Sequence, residues 1–321
     1  MKVWLNGQFV NRDDATVSVH DAGLQHAVGL FETMRASGGR VYRVREHLQR
    51  LADSAKALRL TETLRPRPLA EAVETTVRGN DLDEARVRLT ITGGDLNLLQ
   101  ARHENPSSPT IIIVAQPPTR YPDELFTKGV RVGVADGRLN PLDPFAGHKT
   151  INYWSRLRAL QEAGAEGLSE ALCFSVSNHL MSGSVSNVAL VKEGALRTPF
   201  ARGEEVEGAL PSPVLPGITR AAVFEFAERR GIGVERSMLS IDDLLDADEV
   251  FLTNASWGVL PVVGVSFGAQ SETIGAGSVG PITTTLREAW LEDVESRTQS
   301  SGGVEVESEG FTPGDDDDAM E

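Results

Sequence analysis

Cysteine is almost missing from this sequence. Cys173 is the single one among 321 residues, so no internal disulfide can form and a cysteine metal centre is a poor reading. No metal is expected. Its surroundings, Ala171-Leu172-Cys173-Phe174, predict a buried strand residue and fit a reducing compartment. Apolar residues make up 40% of the chain, yet no run of them approaches the length of a membrane span. The opening residues show no basic stretch followed by an apolar one, so a cytoplasmic protein without a membrane partner is expected. Basic residues are scarce as well: 31 Lys and Arg stand against 46 Asp and Glu, for a net charge of −15. That sign argues against nucleic acid as a partner. Eight of the acids lie in residues 301–321, where there is no Lys or Arg. The segment 299–321 therefore reads as a disordered, solubilising acidic tail.

What remains has the length and apolar content for two domains with their own cores. Asn6-Gly7 between Val3-Trp4-Leu5 and Gln8-Phe9-Val10 predicts a tight hairpin. A second hairpin is expected from Phe31–Ala36 to Arg40–Val44 across Gly38-Gly39, then a helix over Glu46–Leu60 with Leu48, Leu51, Ala52, Ala55 and Leu58 on one face. The alternation of Arg86–Thr92 predicts a strand with Arg86 and Arg88 on the same side, and Thr110–Ala115 predicts another. Pro117-Pro118 marks a break, so the expected division is a small domain over 1–117, a linker over 118–128 and a larger domain over 129–298. The larger domain should hold a helix over Ser155–Ala163 ended by Gly164, a helix over Thr219–Arg230, a capping box at Ser240–Asp243 and a last helix over Thr284–Arg297, between strands. Strands and helices mix without a regular βαβ rhythm, so the fold class is α+β.

Six segments carry the chemistry. They are His20-Asp21-Ala22-Gly23 with Gly29-Leu30-Phe31-Glu32-Thr33; Glu46-His47-Leu48-Gln49-Arg50; Lys149-Thr150-Ile151-Asn152-Tyr153; Ser184-Val185-Ser186-Asn187 before Leu196-Arg197-Thr198-Pro199; Leu215-Pro216-Gly217-Ile218-Thr219-Arg220; and Phe251-Leu252-Thr253-Asn254-Ala255-Ser256. In this order they resemble the class IV aminotransferases, a family that includes branched-chain and D-amino-acid aminotransferases and 4-amino-4-deoxychorismate lyases. The resemblance covers about residues 2–285. It implies the two-domain fold-type IV architecture, pyridoxal 5′-phosphate (PLP) as cofactor, amino and keto acids as substrates, and a homodimer. Lys149 would carry the cofactor aldehyde as a Schiff base and move protons, with Tyr153 near the cofactor's phenolic oxygen. Arg50, the Gly217-Ile218-Thr219 turn and Thr253-Asn254-Ala255-Ser256 would bind on the phosphate side. A guanidinium fork and a helix N-terminus both suit a phosphate. Phe31 borders the site, and Arg86 and Arg88 are candidates for recognising an acidic substrate.

The sequence departs from the family at one telling place. Where the family reads Glu-Gly-Ser, this chain reads Ser182-Gly183-Ser184. The carboxylate that bonds the cofactor's pyridine nitrogen becomes Ser182, with no acid nearby in sequence to replace it. A hydroxyl is too weak a base to hold a proton on that nitrogen, so the ring should be a poorer electron sink. Amino transfer between an amino acid and a 2-keto acid is the primary expectation. Elimination by a lyase, or cofactor binding with little turnover, are the alternatives. Two smaller features remain. His26 stands where the family often has an aromatic-Gly-Asp run, and it reads as a locally bonded loop histidine. Gly275-Ala276-Gly277-Ser278-Val279-Gly280 fits a dinucleotide-binding pattern, but without a complete βαβ unit it reads as turns before the last helix.

Overall fold

Asn6 and Gly7 both take positive φ, 47° and 94°, and so close the first hairpin with the twist that a two-residue turn demands. A computed structural model describes residues 1–95 and 108–299. The acidic tail, beyond its first residue, lies outside the described residues.

The first half carries β1 (Lys2–Leu5), β2 (Gln8–Asn11), β3 (Gly29–Ser37), β4 (Arg40–Val41), β5 (Ala85–Thr92) and β6 (Ile111–Gln116) in one antiparallel sheet, ordered β2-β1-β6-β5-β3-β4. A short helix, α1 (Ala22–His26), precedes β3, and α2 (Val44–Ala57) and α3 (Pro66–Arg78) follow β4. The two-residue period of a strand decides which face does what. In β5, Ala85, Val87, Leu89 and Ile91 are fully buried and join Leu48, Leu51 and Ala55 of α2 and Leu69, Val73 and Val77 of α3 in one core. Arg86, Arg88 and Thr90 take the opposite face. In β3, Leu30, Met34 and Ala36 belong to the same core, while Phe31 and Thr33 line a cavity.

The second half forms a mixed nine-stranded sheet from β7 (Val130–Leu139), β8 (Ala171–Ser175), β9 (Leu180–Gly183), β10 (Asn187–Lys192), β11 (Ala195–Thr198), β12 (Val234–Arg236), β13 (Glu249–Asn254), β14 (Gly258–Phe267) and β15 (Gln270–Thr273). Its order is β12-β11-β10-β13-β14-β7-β8-β9, with β15 beside β14, and three of its pairings are parallel. The helices of this half are α4 (Glu124–Thr127) before β7, α5 (Trp154–Ala165), α6 (Ile218–Arg229) and α7 (Ile241–Leu245) between strands, and α8 (Pro281–Gln299) after β15. Helices α6 and α8 cover one face through Val223, Phe226, Leu286 and Trp290. Cys173 is buried in β8, as expected, and burial pushes its thiol up to about 11. The architecture is α+β, as expected.

Several local expectations change. The second hairpin's return strand is only Arg40–Val41, because Arg43 turns left-handed (φ 48°) and α2 begins at Val44. Helix α5 runs through Gly164 to an exposed end at Ala165, despite the roughly 1 kcal/mol that a helical glycine costs. Helix α3 is an addition to the sequence reading; Pro66 and Pro68 hide it, yet both fall in its first turn, where a missing N–H costs nothing. The stretch read as a linker, 118–128, contains α4. The capping box at Ser240 forms as predicted, with the Asp243 carboxylate accepting from the Ser240 N–H. No helix among the described residues is long and apolar enough to cross a membrane.

Candidate active site

Lys149 reaches its place through backbone pairing. The Phe31 N–H donates to the Lys149 carbonyl at 2.9 Å, the Ile151 N–H donates to the Gly29 carbonyl at 3.0 Å, and Leu30 forms a β-bridge with Thr150. The lysine segment of the second half is thus stitched to β3 of the first, and the side chain enters a cavity of about 520 Å³ between the two sheets. That size suits a small molecule. The amine lies 4.4 Å from the Phe31 ring centroid and 5.4 Å from that of Tyr153. The two rings meet edge to face at 5.2 Å. Burial pushes the amine's pKa down; Tyr153 and Glu32 oppose that push, and Arg50 and Arg156 add to it. A lysine depleted of its proton is a nucleophile and a base.

The same cavity is lined by Phe31, Arg50, Arg86, Arg88, Tyr153, Ser182, Gly217, Ile218, Thr219, Thr253, Asn254, Ala255 and Ser256, so the fold brings together every site position read from the sequence. Their bonding is less uniform than their placement. Arg50 commits three of its five N–H donors to protein: two to Glu32 at 2.8 and 2.6 Å and one to the Pro216 carbonyl at 2.8 Å. Nη2 also lies 3.5 Å from His47 Nδ1, so one Nη1 hydrogen is left clear for a ligand. Glu32 also accepts from His47 Nδ1 at 2.8 Å. Burial alone would raise the Glu32 carboxyl, but Arg50 and His47 outweigh it and hold it at about 2. Burial lowers the His47 pKa, while the Glu32 carboxylate opposes that shift.

Opposite Arg50, the loop before α6 is clamped by Asn187, whose side-chain amide donates to the Leu215 carbonyl at 2.8 Å. A Cβ on Gly217 would strike that same Asn187 side chain, so glycine is required here by close approach. Gly217 caps α6 without a side chain, which leaves the first-turn N–H groups at the cavity wall. Thr253 Oγ1 is buried at the same wall without a partner among the described residues. The Asn254 side chain is already bonded, its oxygen accepting from the Ser256 and Trp257 N–H groups at 2.9 and 3.0 Å and its amide donating to the Val185 carbonyl at 3.3 Å. His148, beside Lys149, bonds Ser54 through Nδ1 at 2.9 Å, and burial and Arg202 push it down to about 4.

At the end held by Tyr153 and Ser182, the structure adds a residue that the sequence reading missed. Arg156 Nη1 points at Ser182 Oγ (3.4 Å) and at the carbonyls of Gly183 (3.3 Å) and Ser184 (3.2 Å). Glu170, buried nearby, accepts from the Ser184, Val185 and Ser186 turn and does not line the cavity. The third wall is basic. The Arg88 guanidinium lies 3.8 Å over the Phe31 ring, and burial, with Arg86 beside it, pushes its pKa down.

Two other motifs resolve as structure. Asp21 accepts from Thr92 and Thr110 hydroxyls at 2.7 Å each and caps α1, which pins the loop ahead of β3. His26 ends α1 exposed and away from the cavity. The glycine run 275–280 turns into α8, whose first N–H groups are already taken by the Glu249 carboxylate at 3.1 and 2.7 Å. A dinucleotide phosphate has no free helix end there.

The sequence model of the family described as Amino-transferase class IV matches residues 29–265. A putative branched-chain-amino-acid aminotransferase of Methanocaldococcus jannaschii is 35% identical over 291 residues, covering 90% of this chain and 94% of that protein. Among solved structures, the branched-chain amino acid aminotransferase of Escherichia coli superposes with a TM-score of 0.81 at 31% identity, covering 94% of this chain and 97% of the other. A T.th. branched-chain amino acid aminotransferase, complexed with N-(5′-phosphopyridoxyl)-L-glutamate, gives 0.80 at 29%, covering 92% and 94%.

Proposed function

The chain belongs to the class IV aminotransferases, and from that premise we propose that it holds pyridoxal 5′-phosphate on Lys149 and, as a cytoplasmic homodimer, passes amino groups between an amino acid and a 2-keto acid. The observation that carries this reading is the placement of Lys149, its pKa pushed down by burial, in one cavity with the uncapped start of α6, the Thr253 hydroxyl that has no partner among the described residues and the spare donor of Arg50. A phosphorylated aldehyde needs an amine at one end and anion-binding donors at the other, and this donor set fits it.

When bound, the cofactor supplies the aldehyde and the conjugated ring that no side chain has. Lys149 supplies the amine and then, through Nζ, carries the proton between substrate Cα and the cofactor. Tyr153 and Phe31 wall the amine from water, and that burial keeps it short of protons. The Ile218 and Thr219 N–H groups and Thr253 Oγ1 would hold the phosphate, and the Glu32 carboxylate would fix the angle of Arg50 toward it. The purified protein should absorb in the violet, lose that colour to borohydride with a label left on Lys149, sediment as a dimer, and turn over a glutamate half-reaction. A colourless protein that takes up no pyridoxal phosphate would end this reading.

Thr253 gives a sharper check on the phosphate end. A buried hydroxyl without a partner is a cost in the empty protein, so Thr253→Val should leave apo stability unchanged or slightly raised. Cofactor Kd should rise roughly 10–100-fold, the worth of one hydrogen bond to a charged group. Equal Kd values for the two proteins would remove Thr253 from the site.

Arg86 and Arg88 make the substrate end fit acids. Among the described residues neither forms an ion pair, and both line the cavity. The glutamate adduct in the T.th. enzyme is that of a dicarboxylate, held by a relative of this chain. Arg88→Gln should raise KM for glutamate or 2-oxoglutarate roughly 10–100-fold, as the loss of a charge-assisted bond predicts. KM for valine should move little; an equal rise for both would mean that Arg88 only supports Phe31.

A further inference from the structure

We infer that Arg156 and Ser182 together form a hydrogen-bond-donating end to the cavity, which keeps the cofactor's ring nitrogen unprotonated. The inference rests on the cofactor reading above. Position 182 is where the family places the nitrogen's carboxylate, and here a hydroxyl occupies it, buried at the cavity wall with an arginine N–H 3.4 Å away.

The charges around that end all point the same way. Arg156 is the cation that lines it, and among the described residues it forms no ion pair; its hydrogen-bond partners are Ser182 Oγ and two backbone carbonyls. Its guanidinium carbon also sits 5.8 Å from the Tyr153 ring centroid. Glu170, the nearest acid, is satisfied by two N–H groups and two hydroxyls of the 184–186 turn and by the Ala171 N–H. Cys173, opposite Ser182 in the β8–β9 ladder, keeps its proton. Arg138 donates away from the site, to Ala135 and Asp136 carbonyls.

A pyridinium placed here would meet a guanidinium and no anion, and like charges disfavour the charged form. A neutral pyridine nitrogen has a lone pair that can accept from Ser182 Oγ–H or Arg156 Nη1–H. The pocket therefore selects the neutral ring. A neutral ring draws less charge from Cα, which slows amino transfer and favours any substrate whose leaving group takes the electrons away. Arg156 explains why Ser182 is tolerated: the two form one donor pair in place of an acceptor.

The test reads the nitrogen itself. The protein is loaded with pyridoxal phosphate carrying ¹⁵N in the ring, and the ¹⁵N chemical shift is followed from pH 6 to 9. The wild type should show the shift of an unprotonated pyridine throughout. Ser182→Glu with Arg156→Leu should move it to the protonated value. Should that double variant fail to fold, Arg156→Leu alone should raise the pH at which the nitrogen titrates, and Arg156→Lys should restore the wild-type value. A protonated nitrogen in the wild type, or an Arg156→Leu spectrum that matches the wild type at every pH, overturns the inference and leaves the cofactor reading intact. No uptake of cofactor, with no borohydride-fixed label on Lys149, overturns both.

Discussion

Lys149→Ala is expected to remove amino transfer almost completely, by at least about 10⁴-fold, the upper end of what a single positioned proton carrier contributes. The loss should be that large because one amine does two tasks, holding the cofactor aldehyde and moving the Cα proton. The variant should still bind pyridoxal phosphate through the α6 turn and Arg50, but without the violet band, and borohydride should leave no label on the chain. Its cofactor-free stability should not fall. The amine sits between two aromatic rings with its pKa pushed down by burial, and an amine held where its charge is disfavoured costs stability to keep. Added small primary amines should restore part of the proton transfer. A variant that keeps even a tenth of its half-reaction rate would show that another base moves the proton; His148, pushed down to about 4 and unpartnered at Nε2, would be the next suspect.

Why could so much of this site be read from the sequence, and why not the rest? The legible parts are local. Alternation in Ala85–Thr92 separates Arg86 and Arg88 from the buried Ala85, Val87, Leu89 and Ile91, because a strand's period is two whatever it pairs with. Gly217-Ile218-Thr219 announces a helix start and its free N–H groups. The illegible parts are pairings between distant segments. Nothing in residues 149–151 says that they bridge residues 29–31. Nothing in Glu32 says that it closes on His47 and Arg50 across a strand–helix interface. Arg156 sits three residues beyond Tyr153, so its helical side is within reach of a guess, but its approach to Ser182 depends on how α5 packs over β7 and β8. The missing family glutamate is visible in the sequence, and its replacement partner is not. Helix α3 is hidden for a different reason: two prolines so close together look like a break, although the first turn of a helix accepts them.

Glu32→Gln should be the most destabilising single change near the site, by about 3–5 kcal/mol, because it leaves the nearly buried Arg50 charge without its counter-ion. At roughly 2–4 °C per kcal/mol, Tm should fall by about 6–20 °C. The pH dependence distinguishes this cause from simple mispacking. The folded carboxyl titrates at about 2 against its usual 4.5, so the stability it contributes is fully present above about 4.5. That contribution is lost as pH falls from about 4.5 toward about 2, where the native state must give up its paired carboxylate. The gap between wild type and variant, measured by denaturant unfolding, should therefore be widest near neutral pH and should close across that acid window. A gap that stays constant to the bottom of the window would assign the loss to shape, since Gln and protonated Glu are nearly isosteric. Function should follow the same link. With Glu32 neutral, Arg50 is free to swing away from the α6 turn, so the variant's cofactor Kd should rise even at temperatures where it is fully folded.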